Sequence, residues 1–216
     1  MDRSSEERGF CGAGDQIKIY SYGPHHGEEP PISGKNGSGT IFFSNCCMGC
    51  VYCQNYQFSQ AGRGRIISSS GLSEIIIELQ NKGCHNINFV TPTHFAPGIM
   101  EALREAYIRG LNIPVVYNTG GFDSLDVIKS LDGVIDIYLP DMRYASNAMG
   151  RKYSNSPGYA VNNRLVIKEM FSQAGNLKMD GNGIAYRGLI IRLLVMPGGV
   201  SGTEETLEFI GRELGK

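Results

Sequence analysis

Four of the six cysteines in this 216-residue chain fall on one short segment between Cys46 and Cys53. Thiolates grouped on a short loop are ligands for soft metals, and three of them can hold an iron–sulfur cubane whose fourth iron has no protein ligand. Two spacings are available, Cys46-x3-Cys50-x2-Cys53 and Cys47-x2-Cys50-x2-Cys53. The second is the bacterial ferredoxin run, which needs a further cysteine followed by proline, and none follows Cys53. We therefore predict that Cys46, Cys50 and Cys53 are the metal ligands.

Composition and charge restrict the kinds of protein that could carry this cysteine loop. The formal net charge is -1, from 20 Lys and Arg against 21 Asp and Glu, which excludes the basic balance of a general nucleic-acid binder. Residues 1–8 contain no apolar segment of a signal peptide, and no apolar run approaches the roughly 18 residues of a membrane span. We therefore expect a cytoplasmic protein without nucleic-acid or membrane partners, whose cysteines are thiols or metal ligands.

Apolar runs alternate with amphipathic segments from residue 39 onward and predict five βα units. Most of the apolar runs are continuous, as in parallel strands that are covered on both faces. This order predicts an α/β fold with right-handed crossovers, either a barrel or a doubly wound sheet. The predicted strands are 40–44, 86–90, 114–117, 134–139 and 189–196, and the predicted helices are 72–82, 97–109, 124–131, 161–174 and 203–214.

Two segments fall outside this pattern. Residues 1–38 are rich in glycine, proline and charge and predict an irregular N-terminal extension before a domain over 39–216. Residues 175–188 predict a loop before the fifth strand. The cysteine loop follows the first strand of the domain, so it lies at the carboxyl edge of the sheet, where α/β proteins place their chemistry.

The cysteine spacing, with an aromatic residue before the last cysteine, resembles the radical S-adenosyl-L-methionine (SAM) superfamily. Further stretches extend the resemblance from about Arg8 to the end of the chain. Residues 8–14 and 88–94 are similar to an uncharacterised iron–sulfur branch homologous to pyruvate formate-lyase-activating enzymes. Stretches that resemble those enzymes themselves are Tyr52-Cys53-Gln54-Asn55, Asn118-Thr119-Gly120, Asp141-Met142-Arg143 and Arg192-Leu193-Leu194-Val195-Met196-Pro197-Gly198.

This resemblance implies a partial (β/α) barrel of the radical SAM type, with five βα units visible of an expected six. It implies a 4Fe-4S cluster on three cysteines, with SAM chelating the open iron. One electron then cleaves SAM and gives a 5′-deoxyadenosyl radical that abstracts hydrogen. Relatives continue into a sixth strand beyond Lys216, so we expect the chain to be a fragment.

The resemblance also implies a set of SAM-binding residues, with no side chain assigned a catalytic role of its own. Arg192 interrupts an apolar strand, and such a charge must be paired or face a polar cavity. Thr91 and Thr93 stand where radical SAM proteins commonly carry Gly-Gly-Glu for the SAM amino group, and the alternative is a cap of the next helix. The full predicted set is Tyr52, Gln54, Thr91, Thr93, Asn118, Asp141, Arg143, Arg192 and Val195.

Partners follow from the same resemblance. It implies a glycyl radical enzyme as the substrate and a one-electron donor such as flavodoxin or ferredoxin. A non-catalytic iron–sulfur electron carrier or sensor is the alternative, and it has no need of the predicted SAM-binding residues. A zinc-structured binding module is a third possibility, which fits badly because structural zinc usually takes four protein ligands.

Overall fold

Nine strands form one open sheet in the computed structural model, which describes residues 9–215. The strands are β1 Ile17–His25, β2 Ser38–Phe43, β3 Arg65–Ile67, β4 Ile87–Val90, β5 Val115–Thr119, β6 Ile137–Met142, β7 Lys178–Met179, β8 Ala185–Leu189 and β9 Arg192–Leu193. The helices are α1 Pro30–Ser33, α2 Tyr56–Ser59, α3 Ser69–Asn81, α4 Ala96–Ile108, α5 Leu125–Ser130, α6 Asn147–Ser154, α7 Tyr159–Ala174 and α8 Thr203–Glu213.

The centre of the sheet is parallel. Strands β2, β4, β5 and β6 pair in that order, and β8 and β9 both pair in parallel with β6. The antiparallel pairs β1 with β2, β1 with β3, and β7 with β8 extend the two sides. The sheet is not closed. The α/β fold is therefore that of a partial (β/α) barrel, as the resemblance implies.

Apolar side chains cover both faces of the central strands, which explains their continuous apolar runs. Phe89 and Tyr117 pack into the core formed with α3 and α4. Val116 and Ile137 lie in a second core on the other face, together with Ile32 from α1. The short helix α1 thus fills part of the concave side of the open barrel.

The prediction of an irregular extension over residues 1–38 is wrong for β1 and α1. Strand β1 buries Ile17 and Ile19 and pairs with β2 along most of its length. Pro24 lies where β1 no longer pairs with β3, and proline is tolerated at such a free edge. Glycine and proline near the end of the run hid the strand in the sequence.

The fifth predicted strand, 189–196, is wrong as a continuous element. Strand β8 ends at Leu189 and β9 contains only two residues, so the chain pairs with β6 in two separate steps. Strands β7 and β8 occupy part of the predicted loop 175–188. The five predicted helices are present, with ends within three residues of the prediction, whereas α2, α6 and β3 were not predicted. Among residues 9–215, no helix has the length and apolar character needed to cross a membrane.

Candidate functional site

The four clustered cysteines lie on the loop between β2 and α2 and pack into one apolar pocket with Tyr144 and Tyr159. The loop is tied to the end of α6 by two backbone hydrogen bonds. The Gly49 amide donates to the Ser154 carbonyl at 2.7 Å, and the Val51 amide donates to the Tyr153 carbonyl at 2.9 Å. Because α6 is itself a regular helix, this attachment holds the cysteine loop against a rigid element.

Hydrogen-bond donors surround two of the predicted ligand sulfurs. Cys50 is buried, and its Sγ accepts from Arg143 Nη1 at 2.8 Å and from Ser154 Oγ at 2.9 Å. Cys53 Sγ lies 3.2 Å from Ser59 Oγ. Donors of this kind stabilise a thiolate, which is the form of cysteine that binds iron.

The neighbouring thiols Cys46 and Cys47 differ in their electrostatics. A hydrogen bond from Cys47 lowers the pKa of Cys46 to about 7. The same contact, together with burial, raises the pKa of Cys47 well above its ordinary value. Cys47 Sγ also points to the carbonyl of Phe122 at 3.5 Å. These contacts distinguish the two neighbouring thiols, and the assignment of Cys46 as the ligand stays a prediction from the spacing.

The cysteine loop supplies three thiols, the donor chemistry that an iron–sulfur cluster takes. Within residues 9–215, no group of three or more His, Cys, Asp or Glu is arranged to hold one metal ion. A cubane binds each thiolate through a different iron atom, so its ligands stand further apart than those of a zinc ion. Three cysteines in one apolar pocket, with donors aimed at their sulfurs, fit a 4Fe-4S cluster.

A cavity of about 600 Å³ opens beside this loop at the carboxyl edge of β4, β5 and β6. Its volume lies within the range of small-molecule sites, and Cys53 forms part of its wall. Parallel strands end at the same edge, so polar residues that follow separate strands meet there. Seven of the nine predicted SAM-binding residues line this cavity: Tyr52, Gln54, Thr91, Asn118, Asp141, Arg143 and Arg192.

Thr93 and Val195 do not line the cavity. Thr93 Oγ1 donates to the buried Asp123 at 2.7 Å, and the Val195 side chain is 72% exposed. The alternative use of Thr91 or Thr93 as a helix cap is also not found, because α4 begins after Phe95 without a side-chain cap.

Asp141 organises the charges of the cavity wall. Its Oδ2 accepts from Arg143 Nη2 at 2.6 Å, and its Oδ1 accepts from Arg192 Nε at 2.8 Å. Arg192 Nη2 also donates to Asn118 Oδ1 at 2.7 Å. Both guanidinium groups are thus oriented along one side of the cavity, with donors left for an anionic ligand group.

The segment before α1 supplies cavity residues that the sequence interpretation missed. The Glu28 side chain is 8% exposed, and its carboxylate lies 3.2 Å from His25 Nδ1. Asn118 Nδ2 donates to Glu28 Oε2 at 3.4 Å, and Arg192 lies 3.7 Å from Glu29. Burial raises the pKa of Glu28. In the sequence, Glu28 and Glu29 are followed by two prolines, and proline is common at the first position of a helix. This pattern could have placed the two glutamates just before a helix.

Comparison with known sequences gives a family match over most of the chain. The sequence profile of the radical SAM superfamily matches residues 40–210. The uncharacterized protein MJ0674 of Methanocaldococcus jannaschii is 31% identical over 223 residues. That alignment covers 96% of this chain and 58% of the relative, so the chain spans little more than half of the curated protein it matches.

Comparison with solved structures concerns the fold. Native anSMEcpe with bound AdoMet matches with a TM-score of 0.51 at 13% identity, over 77% of this chain and 45% of that chain. The same protein with bound AdoMet and a Kp18Cys peptide matches with a TM-score of 0.52 and the same coverage. Each match shows that this chain shares its fold with part of that protein.

Proposed function

The chain belongs to the radical SAM superfamily, and we propose that it binds a 4Fe-4S cluster through Cys46, Cys50 and Cys53 and cleaves SAM held in the adjoining cavity. The family itself implies both cofactors. The observation that carries the assignment of residues is the junction of the two sites, since Cys53 belongs to the cysteine pocket and also to the wall of the cavity.

When bound, the cluster supplies the electron that breaks a carbon–sulfur bond of SAM, which gives methionine and a 5′-deoxyadenosyl radical for hydrogen abstraction. The residues of this chain bind and orient. Arg192 and Arg143 offer guanidinium donors to the SAM carboxylate, and Asp141 fixes both of them. Tyr52 lines the wall with an aromatic ring, and Glu28 lines it with a carboxyl group that contacts Asn118 and His25.

The proposal is tested on protein reconstituted with iron and sulfide under anaerobic conditions. Incubation with SAM and dithionite is expected to yield 5′-deoxyadenosine, and Cys50→Ala is expected to yield none. The alternative electron carrier or sensor predicts a reducible cluster without SAM cleavage. A cluster-loaded protein that neither binds nor cleaves SAM would therefore support the carrier and contradict the enzyme.

For the substrate, we propose the glycine loop of a glycyl radical enzyme. The support is the resemblance of the segments around Tyr52 and Arg192 to pyruvate formate-lyase-activating enzymes. A candidate partner protein is expected to develop a glycyl-radical EPR doublet that depends on SAM and on Cys50. A modified small metabolite, formed with no radical on any partner protein, would overturn this substrate and leave the cofactor assignment intact.

For the electron donor, we propose an acidic carrier protein, such as flavodoxin or ferredoxin, that docks on the face beside the cysteine loop. Residues 30–73 and 142–168 contain no Asp or Glu. Arg151 and Lys152 are exposed on the last turn of α6, next to the loop that α6 holds. Opposite charges speed such encounters at low salt. Reversing both charges to Glu is expected to slow reduction by the carrier, whereas Arg104→Glu on α4 is not.

A further inference from the structure

A chain of hydroxyl groups connects the cavity to the buried sulfur of Cys50. Tyr52 OH lies 2.5 Å from Tyr144 OH, which lies 2.7 Å from Ser154 Oγ. Ser154 Oγ in turn lies 2.9 Å from Cys50 Sγ. Tyr144 and Ser154 are almost fully buried, whereas Tyr52 lines the cavity and is 38% exposed. Only the outer end of this chain therefore meets a ligand.

Ligation of iron sets the direction of every hydrogen bond in the chain. A metal-bound thiolate has no proton, so Ser154 must donate to Cys50. The Ser154 hydroxyl has then used its only proton, and its oxygen accepts from Tyr144. Tyr144 accepts from Tyr52 by the same reasoning. Tyr52 also lies 3.5 Å from Ser154 Oγ, a longer contact with the same direction. Aligned hydrogen bonds polarise one another, so a change at Tyr52 acts on the sulfur.

The backbone places Ser154 for this contact. It is the last residue of α6, and Asn155 after it adopts a left-handed conformation with φ of 48°. The Ser154 carbonyl accepts from the Gly49 amide and from Ser156 Oγ, at 2.7 and 2.9 Å. The hydroxyl is thereby held over the cysteine loop by contacts independent of the sulfur.

We propose that Ser154, Tyr144 and Tyr52 form a hydrogen-bond relay that raises the reduction potential of the cluster through Cys50 and couples this potential to ligand binding in the cavity. Reduction adds negative charge to the cluster and its sulfurs, and donors to the sulfurs stabilise the reduced state. Arg143 also donates to Cys50, but Asp141 fixes it in an ion pair. Arg143 itself lines the cavity, so the hydroxyl relay is a second path between the cavity and Cys50. This inference rests on the proposed cluster and adds residues that act through Cys50.

The relay is tested by redox titration of the reconstituted cluster, followed by EPR of the reduced state. Ser154→Ala is expected to shift the midpoint potential most strongly to negative values, followed by Tyr144→Phe and then Tyr52→Phe. Tyr153→Phe is the matched control, because it removes a hydroxyl at the same helix end that lies outside the relay. Its midpoint is expected to equal that of the wild type.

A second titration tests the coupling to the cavity. Saturating SAM is expected to move the midpoint of the wild type by more than that of Tyr52→Phe, and equal shifts would overturn the coupling. Wild-type midpoints in Tyr144→Phe and Tyr52→Phe, each lacking a single oxygen atom, would overturn the relay even if Ser154→Ala fails to fold. A Cys50→Ala protein that assembles an unchanged cluster would instead refute the proposed ligand set.

Discussion

Asp141→Asn is expected to destabilise the cavity wall more than any change to a surface charge. The carboxylate joins Arg143 and Arg192, and the three side chains are 14%, 22% and 32% exposed. An amide keeps one acceptor oxygen and turns an N–H group toward a cation. Removing one partner of a buried ion pair costs about 3–5 kcal/mol, and the partial exposure of both arginines favours about 3 kcal/mol. For a chain of this length, the melting temperature should fall by roughly 6–12 °C.

Thermal unfolding followed by circular dichroism measures this effect on the protein without cofactors. Glu213→Gln is the matched control, because Glu213 also pairs with two cations, Lys168 and Arg212, but on the exposed surface. Such pairs contribute little, so its melting temperature should stay close to that of the wild type. Titration of SAM into the cluster-loaded Asp141→Asn protein should show about tenfold weaker binding or more, since a charged hydrogen bond contributes about 1.5–3 kcal/mol. An unchanged melting temperature and an unchanged SAM affinity would refute the role given to Asp141.

Three further changes test the metal ligands, the carboxyl group of Glu28 in the cavity wall and the packing of α1. Cys47→Ala should retain iron and visible absorption after reconstitution, whereas Cys46→Ala should lose them; the reverse result would establish the ferredoxin-like spacing. Burial raises the pKa of Glu28, so the folded chain binds its proton more tightly than the unfolded chain, and stability is lost as the pH rises above 4.5. The melting temperature of Glu28→Gln relative to wild type should therefore increase as the pH rises above that value, and a difference that is constant with pH would contradict this. Ile32→Ala removes a fully buried side chain and should lower the free energy of unfolding, measured with denaturant, by about 3 kcal/mol. The control Ile66→Ala, at a position 59% exposed, should lower it by well under 1 kcal/mol. Similar losses in the two variants would contradict the packing of α1 inside the barrel.

The parallel part of the fold was predictable because its strands are buried on both faces. Runs such as Asn86–Val90 and Val134–Leu139 consist mostly of apolar residues, and a helical pattern follows each of them. The same criterion failed for β1, which buries only two isoleucines near its start. It also failed for residues 189–196, because apolar content does not show where a strand stops pairing. That depends on the register with β6, which a single sequence does not reveal.

The candidate site likewise contains residues that the sequence predicts and residues that it does not. Asn118, Asp141 and Arg192 belong to the SAM-binding set that the resemblance implies, and they meet because neighbouring parallel strands share one edge. Ser154, Tyr144 and Glu28 were not predicted, since their roles depend on where α6 and the segment before α1 lie against the cysteine loop and the cavity. A serine at the end of a helix has no distinctive pattern in the sequence. It becomes a donor to Cys50 only through the tertiary contacts of its helix.

Polar groups on the concave face of the sheet lower the stability of the folded chain, and the fold does not require them. Replacing a buried ion pair by apolar side chains of similar size is often possible without loss of stability, so the fold itself does not need a pair such as Asp141 and Arg192. Asn88 alternates with Ile87 and Phe89 of the helix-covered core, so its side chain shares a face with Val90, which lines the cavity. Asn88 is fully buried, and neither polar atom of its side-chain amide has a hydrogen-bond partner among residues 9–215. Such costs are the expected consequence of a sheet whose inner face is shaped for a ligand.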